Sequence, residues 1–261
     1  MTAELFRSLH VPGDPLLLPN PWDVGSARLL VSLGYHALAT TSSGFAATLG
    51  RLDGHVTRDE AIAHAAAIAA AVDVPVSADL ENCFADDPSG VAECVQAAVD
   101  AGLAGCSVED FSGSGIYDAA LATERVAAAV EAAAGRLVVT ARAENHLHGR
   151  DDLADTIARL ESFAAVGADV LYAPGVVTAS EIRTLVSAVQ RPVNVLAMPG
   201  VPPVAELAAL GVARISVGGA FAYAALGALA EAGRELLEAG TYGYGSLAAT
   251  GRSTAGRAFG E

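Results

Sequence analysis

The sequence contains no lysine. All 15 of its basic residues are arginines, against 30 aspartates and glutamates, so that the formal net charge is −15. Schiff-base aldolases, pyridoxal-phosphate enzymes and Walker-type nucleotide sites each use a lysine amine, and these three chemistries are therefore excluded. The negative charge disfavours binding to nucleic acid or to an anionic membrane. We therefore expect a small molecule as the partner.

Cysteine and long apolar runs are also scarce. Cys83, Cys94 and Cys106 have neither the spacing of a zinc site nor the density of a disulfide framework, and we expect Cys94 and Cys106 to be small core residues. No uninterrupted apolar run reaches the ~18 residues that a membrane span needs. The first residues, MTAELFRSLH, lack the layout of a signal peptide. These features predict a soluble cytoplasmic protein.

The chain does contain a repeated helix-then-strand junction. SLGYHALATTS, DAGLAGCSVED, AVGADVLYAP and ALGVARISVG each read as a helix that ends on glycine, a short turn and an apolar strand. Capping boxes are indicated at Thr57-x-x-Glu60 and Thr178-x-x-Glu181. We predict strands at 16–19, 37–42, 75–80, 105–109, 137–142, 169–173, 192–197 and 214–218, and helices at 24–33, 58–72, 89–101, 119–134, 152–166, 179–190, 203–210 and 219–238.

Strict alternation of strands and helices predicts a parallel sheet, and eight such units are typical of a closed barrel. The fold class is therefore α/β, a single (β/α)8 barrel over residues 1–240, followed by a partly ordered C-terminal tail, 241–261. The alternative is an open doubly wound sheet. It is disfavoured because PNPWDVGSA, rather than GxGxxG, follows the first strand.

Acidic residues collect where the strands end. Asp79 and Glu81 are two apart and should share a face, and Glu109 ends the next strand. Like charges ~4 Å apart repel by roughly 4 kcal/mol at an effective dielectric of about 20. A hard divalent cation would remove this penalty, and Mg²⁺, with Mn²⁺ as the alternative, suits carboxylate oxygens. The other explanation is that Arg142 neutralises the acids in a buried ion network.

Two further features fit a small anionic ligand. Arg142 could clamp a substrate carboxylate with its forked donors, or could form a salt bridge to Glu144 or Glu109. The SSG stretch, with Ser43 and Gly44, suits an anion, although a plain glycine turn explains it nearly as well. A 2-oxo acid fits best, because it chelates a metal through its carboxylate and carbonyl, and the metal can stabilise its enolate.

Between about Pro19 and Gly240 the sequence contains, in this order, NPWDVGSARLL, TTSSGFAATLGRLDG, SADLEN, GCSVED, TARAEN, DVLYAPG and ISVGGA. With this ordered set the chain resembles the isocitrate lyase/phosphoenolpyruvate mutase superfamily. It implies that Asp79 binds Mg²⁺ directly, while Glu81 and Glu109 act through coordinated water. It also implies a homotetramer, or at least a homodimer, in which the helix near 219–238 is exchanged between two subunits.

The resemblance also assigns roles around the substrate. Ser43, Gly44 and Phe45 would hold its carboxylate together with the Asp79-bound metal, and Arg142 would lie beside it. Asp53, in GRLDG, corresponds to an acidic loop residue near the reacting bond. The implied catalytic group is therefore Asp53, Arg142 and Glu109.

One loop departs from the family pattern. The lyases carry a Lys-(Lys/Arg)-Cys-Gly-His motif after the fourth strand, whereas this loop reads FSGSGIYD, and the Lys and Asn of the phosphonate-cleaving members are missing too. Cys83 lies on a different loop, so we do not expect it to replace the missing acid. We predict a Mg²⁺-dependent lyase or decarboxylase that makes or breaks the C–C bond next to the carbonyl of a 2-oxo acid through an enolate. The alternatives are a phosphonomutase or phosphonate hydrolase, and a 2-oxo acid binding protein with little or no turnover.

Overall fold

The computed structural model describes residues 3–260, and these contain one eight-stranded parallel sheet. Its strands are β1 (Leu16–Leu18), β2 (Leu38–Ala39), β3 (Val76–Asp79), β4 (Gly105–Glu109), β5 (Val138–Arg142), β6 (Val170–Tyr172), β7 (Val193–Leu196) and β8 (Arg214–Ser216). Their order is β1-β8-β7-β6-β5-β4-β3-β2, with every neighbouring pair parallel. The predicted (β/α)8 barrel is thereby confirmed.

The seam between β1 and β2 is closed by single hydrogen bonds. The Ala39 amide donates to the Pro19 carbonyl at 3.1 Å. Asn20, just after β1, donates to the Thr40 carbonyl and accepts from the amides of Val217 and Gly218. One side chain thus joins the ends of three strands, because its amide offers both donors and acceptors.

The helices follow the predicted alternation, with three additions. They are α1 (Ala3–Ser8), α2 (Val24–Ser32), α3 (Ser42–Thr48), α4 (Arg58–Ala70), α5 (Pro88–Asp100), α6 (Ala119–Ala133), α7 (Leu153–Ala165), α8 (Ala179–Ala188), α9 (Val204–Ala209), α10 (Ala220–Glu238) and α11 (Gly245–Phe259). The sequence did not predict α1, α3 or α11. The prediction of a strand through residue 42 was wrong, because the Thr41 side chain caps the N-terminus of α3 and so ends the extended backbone.

Local chemistry explains most helix ends. Thr57 and Glu60 form the predicted capping box of α4, while at α8 the Thr178 side chain accepts from the Glu181 amide. The glycines at the four repeated junctions all have positive φ, between 75° and 104°, and these are Gly34, Gly102, Gly167 and Gly211. This is the left-handed cap that glycine adopts without steric cost.

Apolar residues pack between the sheet and the helices, while one row inside the barrel is polar. Two large apolar clusters lie against β2–β5 and β5–β8, respectively. Inside, the register partners run from one strand to the next as Glu109, Arg142, Tyr172, Asn194 and Arg214. Register partners in a parallel sheet share a face, so these five side chains line the same interior.

The two C-terminal helices lie at the outside. Ala222 is the buried residue of α10, whose other side chains are partly or fully exposed. α11 packs against α2, where Phe259 approaches Gly25. Exchange of α10 between subunits stays a prediction. No helix within residues 3–260 has the length and apolar character that crossing a membrane requires.

Candidate active site

A cavity of about 210 Å³ opens inside the barrel at the carboxyl ends of the strands. It brings together five of the predicted site residues, one of which, Asp53, lies in the loop that follows α3. The predicted residues among its lining are Ser43, Asp53, Asp79, Glu109 and Arg142. A wider cavity of about 470 Å³ shares Asp53, Glu109 and Arg142 with it and adds Glu81. The structure therefore assembles the predicted acids and Arg142 around one space.

Arg142 is the centre of a buried ion network. Its Nη1 atom lies 2.8 Å from Glu109 Oε1 and 3.2 Å from Asp79 Oδ1, and its Nε atom lies 2.7 Å from Glu144 Oε1. The guanidinium also packs over the Tyr172 ring, 5.0 Å from its centre. These contacts form the ion network that the sequence left as the alternative to a divalent cation. They include the salt bridges to Glu109 and Glu144 that it left as the alternative to a substrate clamp.

The network contains more acidic side chains than basic ones. One guanidinium faces the carboxylates of Asp79, Glu109 and Glu144, and burial raises the pKa of Glu109 well above its usual range although Arg142 opposes this shift. Asp79 is further held by the Ser42 amide and the Ser107 hydroxyl, each at 3.2 Å. The site can therefore accept additional positive charge.

Glu81 and Asp53 are the less constrained acids. Within residues 3–260 the Glu81 side chain has no hydrogen bond or ion pair, and its backbone is left-handed, with φ of 50°. Burial, with the charges of Asp79 and Asp53, raises the pKa of Glu81 to about 7. Desolvation raises the pKa of Asp53 as well. Bringing these acids together thus costs free energy that a cation would recover.

The donor set suits magnesium held largely by water. Among residues 3–260 no group of three or more His, Cys, Asp and Glu side chains is arranged so that it could hold a metal ion. Mg²⁺, however, keeps several waters and commonly takes one or two protein carboxylates. Asp79 as the direct ligand, with Glu81 and Glu109 reaching the ion through water, is compatible with this arrangement.

The Ser43–Phe45 segment is the first turn of α3. The amides of Gly44 and Phe45 are engaged with Thr41, which leaves the Ser43 amide available in the part of the chain that is described. A side chain at Gly44 would meet Thr41 at 2.6 Å, so close packing explains this glycine. Phe45 stacks on His64 with ring centres 3.8 Å apart. Of this segment, Ser43 lines the 210 Å³ cavity.

The sequence analysis did not identify the polar residues that β6, β7 and β8 contribute to the cavity, which we call the lower cavity wall. Tyr172, Asn194, Arg214 and Ser216 line the cavity. They lie within β6, β7 and β8, whereas the prediction considered the loops that follow each strand. Their signal in the sequence was the presence of polar residues within predicted strands, as in VNVL and RIS.

The loop after β4 closes on itself. Phe111 pairs with Ile116 through an isolated bridge, and its ring stacks on His148, with centres 3.5 Å apart. Both rings line the wider cavity.

Cys83 is fully buried in the apolar core, and its hydrogen bond to Cys94 together with burial raises the pKa of its thiol. Cys94 and Cys106 are core residues, as predicted.

The chain is similar in sequence to several known proteins. An uncharacterized protein of Mycobacterium tuberculosis H37Rv is 36% identical over 231 residues, which cover 88% of this chain and 87% of that protein. The 2-methylisocitrate lyase of Escherichia coli K12 is 26% identical over 203 residues, covering 73% of this chain and 68% of the lyase.

Solved structures agree with these relatives. A Burkholderia cenocepacia J2315 protein, for which a lyase or mutase activity has been suggested, superposes with a TM-score of 0.95 at 49% identity, covering 100% of this chain and 96% of that one. A 2,3-dimethylmalate lyase superposes with a TM-score of 0.82 at 27% identity, covering 93% and 90% of the two chains.

The profile of the phosphoenolpyruvate phosphomutase family matches residues 6–237, which is most of the chain. The superfamily includes lyases and mutases, so that enzymatic activity is expected of its members. The chain belongs to the phosphoenolpyruvate phosphomutase family, within the PEP mutase/isocitrate lyase superfamily.

Proposed function

We propose that the protein is a Mg²⁺-dependent lyase or decarboxylase that cleaves or forms the C–C bond next to the carbonyl of a small 2-oxo acid. The observation that carries the proposal is the position of Arg142. It holds Asp79 and Glu109 at one wall of the cavity, while Asp53 and Glu81 stay without an ion-pair partner among residues 3–260.

In this proposal, different residues bind the substrate and transfer the proton. The Ser43 amide and hydroxyl receive the substrate carboxylate, and Arg142 orients Asp79 and Glu109 through its ion pairs. Asp79, Glu81 and Glu109 would hold Mg²⁺, which when bound stabilises negative charge on the enolate oxygen. Asp53, which lines both cavities, moves a proton at the carbon next to the carbonyl.

The loop after β4 favours a simple substrate. It offers no Cys, His or Lys between residues 111 and 118 to protonate the second product of isocitrate cleavage. A phosphonomutase or phosphonate hydrolase is the second candidate, favoured by the family match. A binding protein with little turnover is the third, since general acid–base groups typically contribute about 10²- to 10⁴-fold to the rate.

A substrate panel tests the proposal. Oxaloacetate, 2,3-dimethylmalate, 2-methylisocitrate and phosphonopyruvate are each incubated with protein and Mg²⁺, and products are identified by NMR. We expect cleavage of a C–C bond in at least one carboxylic acid, lost in Asp53→Asn and retained in Asp59→Asn, an exposed control. Turnover of phosphonopyruvate alone would replace the proposal with the mutase or hydrolase. Binding without products would favour the third candidate.

We further propose that the protein forms a homotetramer, or at least a homodimer, through α10. Its apolar side chains Phe221, Tyr223, Leu226, Leu229, Leu236 and Leu237 are all exposed in the single chain. Apolar surface of this extent along one helix is typical of an interface.

A further inference from the structure

Arg214 is a buried cation without an anionic partner. Its side chain is 4% exposed, and its three hydrogen-bond partners are Asn194 Oδ1 at 3.0 Å, Thr140 Oγ1 at 3.1 Å and His10 Nε2 at 3.2 Å. No carboxylate within residues 3–260 forms a salt bridge with it. Burial holds the pKa of His10 at about 3, so this partner is neutral as well.

The other deeply buried arginines differ from Arg214 in their contact partners or in their position. Arg142 contacts three carboxylates, and Arg159 contacts Asp110 and Asp155. Arg125 donates to main-chain carbonyls of the loop after β3 and packs over the Tyr117 ring. Arg125 also meets only neutral groups, but it lines neither cavity. Arg214, in contrast, lacks an anionic partner and lines the 210 Å³ cavity, and such a buried guanidinium is costly unless an anion approaches it.

Arg214 also has N–H groups without an assigned acceptor, and its side chain lines a cavity. A guanidinium has five N–H groups, and three acceptors are assigned to this one, which leaves two N–H groups for a ligand. The side chain lines the same 210 Å³ cavity as Asp79 and Arg142. The register row from Arg142 through Tyr172 and Asn194 to Arg214 connects the two guanidinium groups along one wall.

We propose that Arg214 binds a second anionic group of the substrate, a carboxylate or phosphonate distal to the 2-oxo acid group, so that the site selects dianionic 2-oxo acids over pyruvate. The proposal rests on the proposed function, which places the 2-oxo acid group at Asp79 and Ser43. Asn194 and Thr140 are positioning residues, because their oxygens fix the plane of the Arg214 fork.

Titration calorimetry with Mg²⁺ present tests this, using pyruvate, oxaloacetate and phosphonopyruvate in the cold, where turnover during the titration is slow. We expect wild type to bind at least one dianionic acid about 10- to 100-fold more tightly than pyruvate, the range of a charge-assisted hydrogen bond. Arg214→Met should reduce that preference to within about threefold, and Arg214→Lys should keep part of it. The control Arg183→Met removes the same charge from an exposed position on α8.

The probes distinguish the sources of the distal charge. A preference for oxaloacetate that Arg214→Met removes identifies a carboxylate, and the same result with phosphonopyruvate identifies a phosphonate. Equal binding of all three acids by wild type overturns the proposal even if Arg214→Met fails to fold. An equal loss for pyruvate and the dianions in a folded Arg214→Met protein also overturns it, since that indicates a structural role. If no 2-oxo acid binds to wild type, the proposed function is wrong instead.

Discussion

Arg142 Nη1 lies 2.8 Å from Glu109 Oε1 across the β4–β5 ladder, where the two residues are register partners. Adjacent parallel strands thus place a cation directly beside the acid that the sequence assigned to the metal site. The pairing makes Arg142 part of the protein's own charge balance, whether or not it also contacts a substrate.

Replacement of Arg142 by lysine should weaken binding of 2-oxo acids by roughly 10- to 100-fold, because a point charge cannot serve Glu109, Asp79 and Glu144 together. Calorimetry with pyruvate and Mg²⁺ measures this effect, with the exposed Arg183→Lys as the matched control. Unchanged affinity, accompanied by a lower free energy of unfolding, would identify Arg142 as purely structural.

Chelation should abolish activity and 2-oxo acid binding, and Mg²⁺ or Mn²⁺ should restore both, because the acids of the site outnumber Arg142. Asp79→Asn should prevent that restoration, since it removes the charge of the proposed direct ligand. Asp59→Asn, a surface change, serves as the control. Full binding after exhaustive chelation would contradict the assignment of Asp79, Glu81 and Glu109.

Isocitrate cleavage should be undetectable at saturating Mg²⁺, since residues 111–118 lack the acid that this reaction requires. Cys83→Ala should leave turnover of an accepted 2-oxo acid within about twofold of wild type, because Cys83 is buried in the apolar core, outside both cavities. Loss of turnover in a folded Cys83→Ala protein would show that the loop after β3 supplies the acid.

Stability should fall with pH below about 6.5 because of His10. Burial, the largest cause, and the charges of Arg214 and Arg7 lower its pKa from 6.5 to about 3, although hydrogen bonding at Phe6 opposes this. In that window the unfolded chain binds a proton that the folded chain rejects, so this contribution to stability is complete above pH 6.5 and declines as the pH falls.

Urea unfolding at about pH 6.5 and pH 5 measures the effect. We expect His10 to account for about 2 kcal/mol of the lost free energy of unfolding, and His10→Gln should lose correspondingly less over this interval. His36→Gln controls for removal of an exposed imidazole. An identical pH dependence in wild type and His10→Gln would contradict a neutral, buried His10.

Light scattering should give a tetramer, or at least a dimer, at micromolar concentration. Leu229→Glu should shift the assembly toward smaller species, because Leu229 on α10 is 69% exposed in the single chain and a buried charge at an interface is costly. Glu231→Gln, a change at another exposed α10 position, is the control. A wild-type monomer across this concentration range would remove α10 as an interface.

Much of the fold could be predicted from short-range sequence patterns. The glycine caps, the capping box at Thr57 and the regular spacing of apolar segments are encoded within a few residues of each other, so the barrel was predictable from the chain. The placement of Asp79, Glu109 and Arg142 also followed, because carboxyl ends of parallel strands meet at one end of a barrel. The turn from β2 into α3 was missed because the Thr41 cap outweighs the extended preference of the preceding residues.

The charge partners and the lower cavity wall depended on closure of the barrel. Nothing near Arg214 in the sequence indicates that Asn194, Thr140 and His10 surround it, since these residues come from β7, β5 and the segment after α1. Likewise, the contact of Arg142 with Glu109 results from the register of β4 and β5, which the sequence alone does not show. Short-range patterns specify which residues end strands and helices, whereas contacts between distant strands arise only when the closed sheet brings their inward faces together.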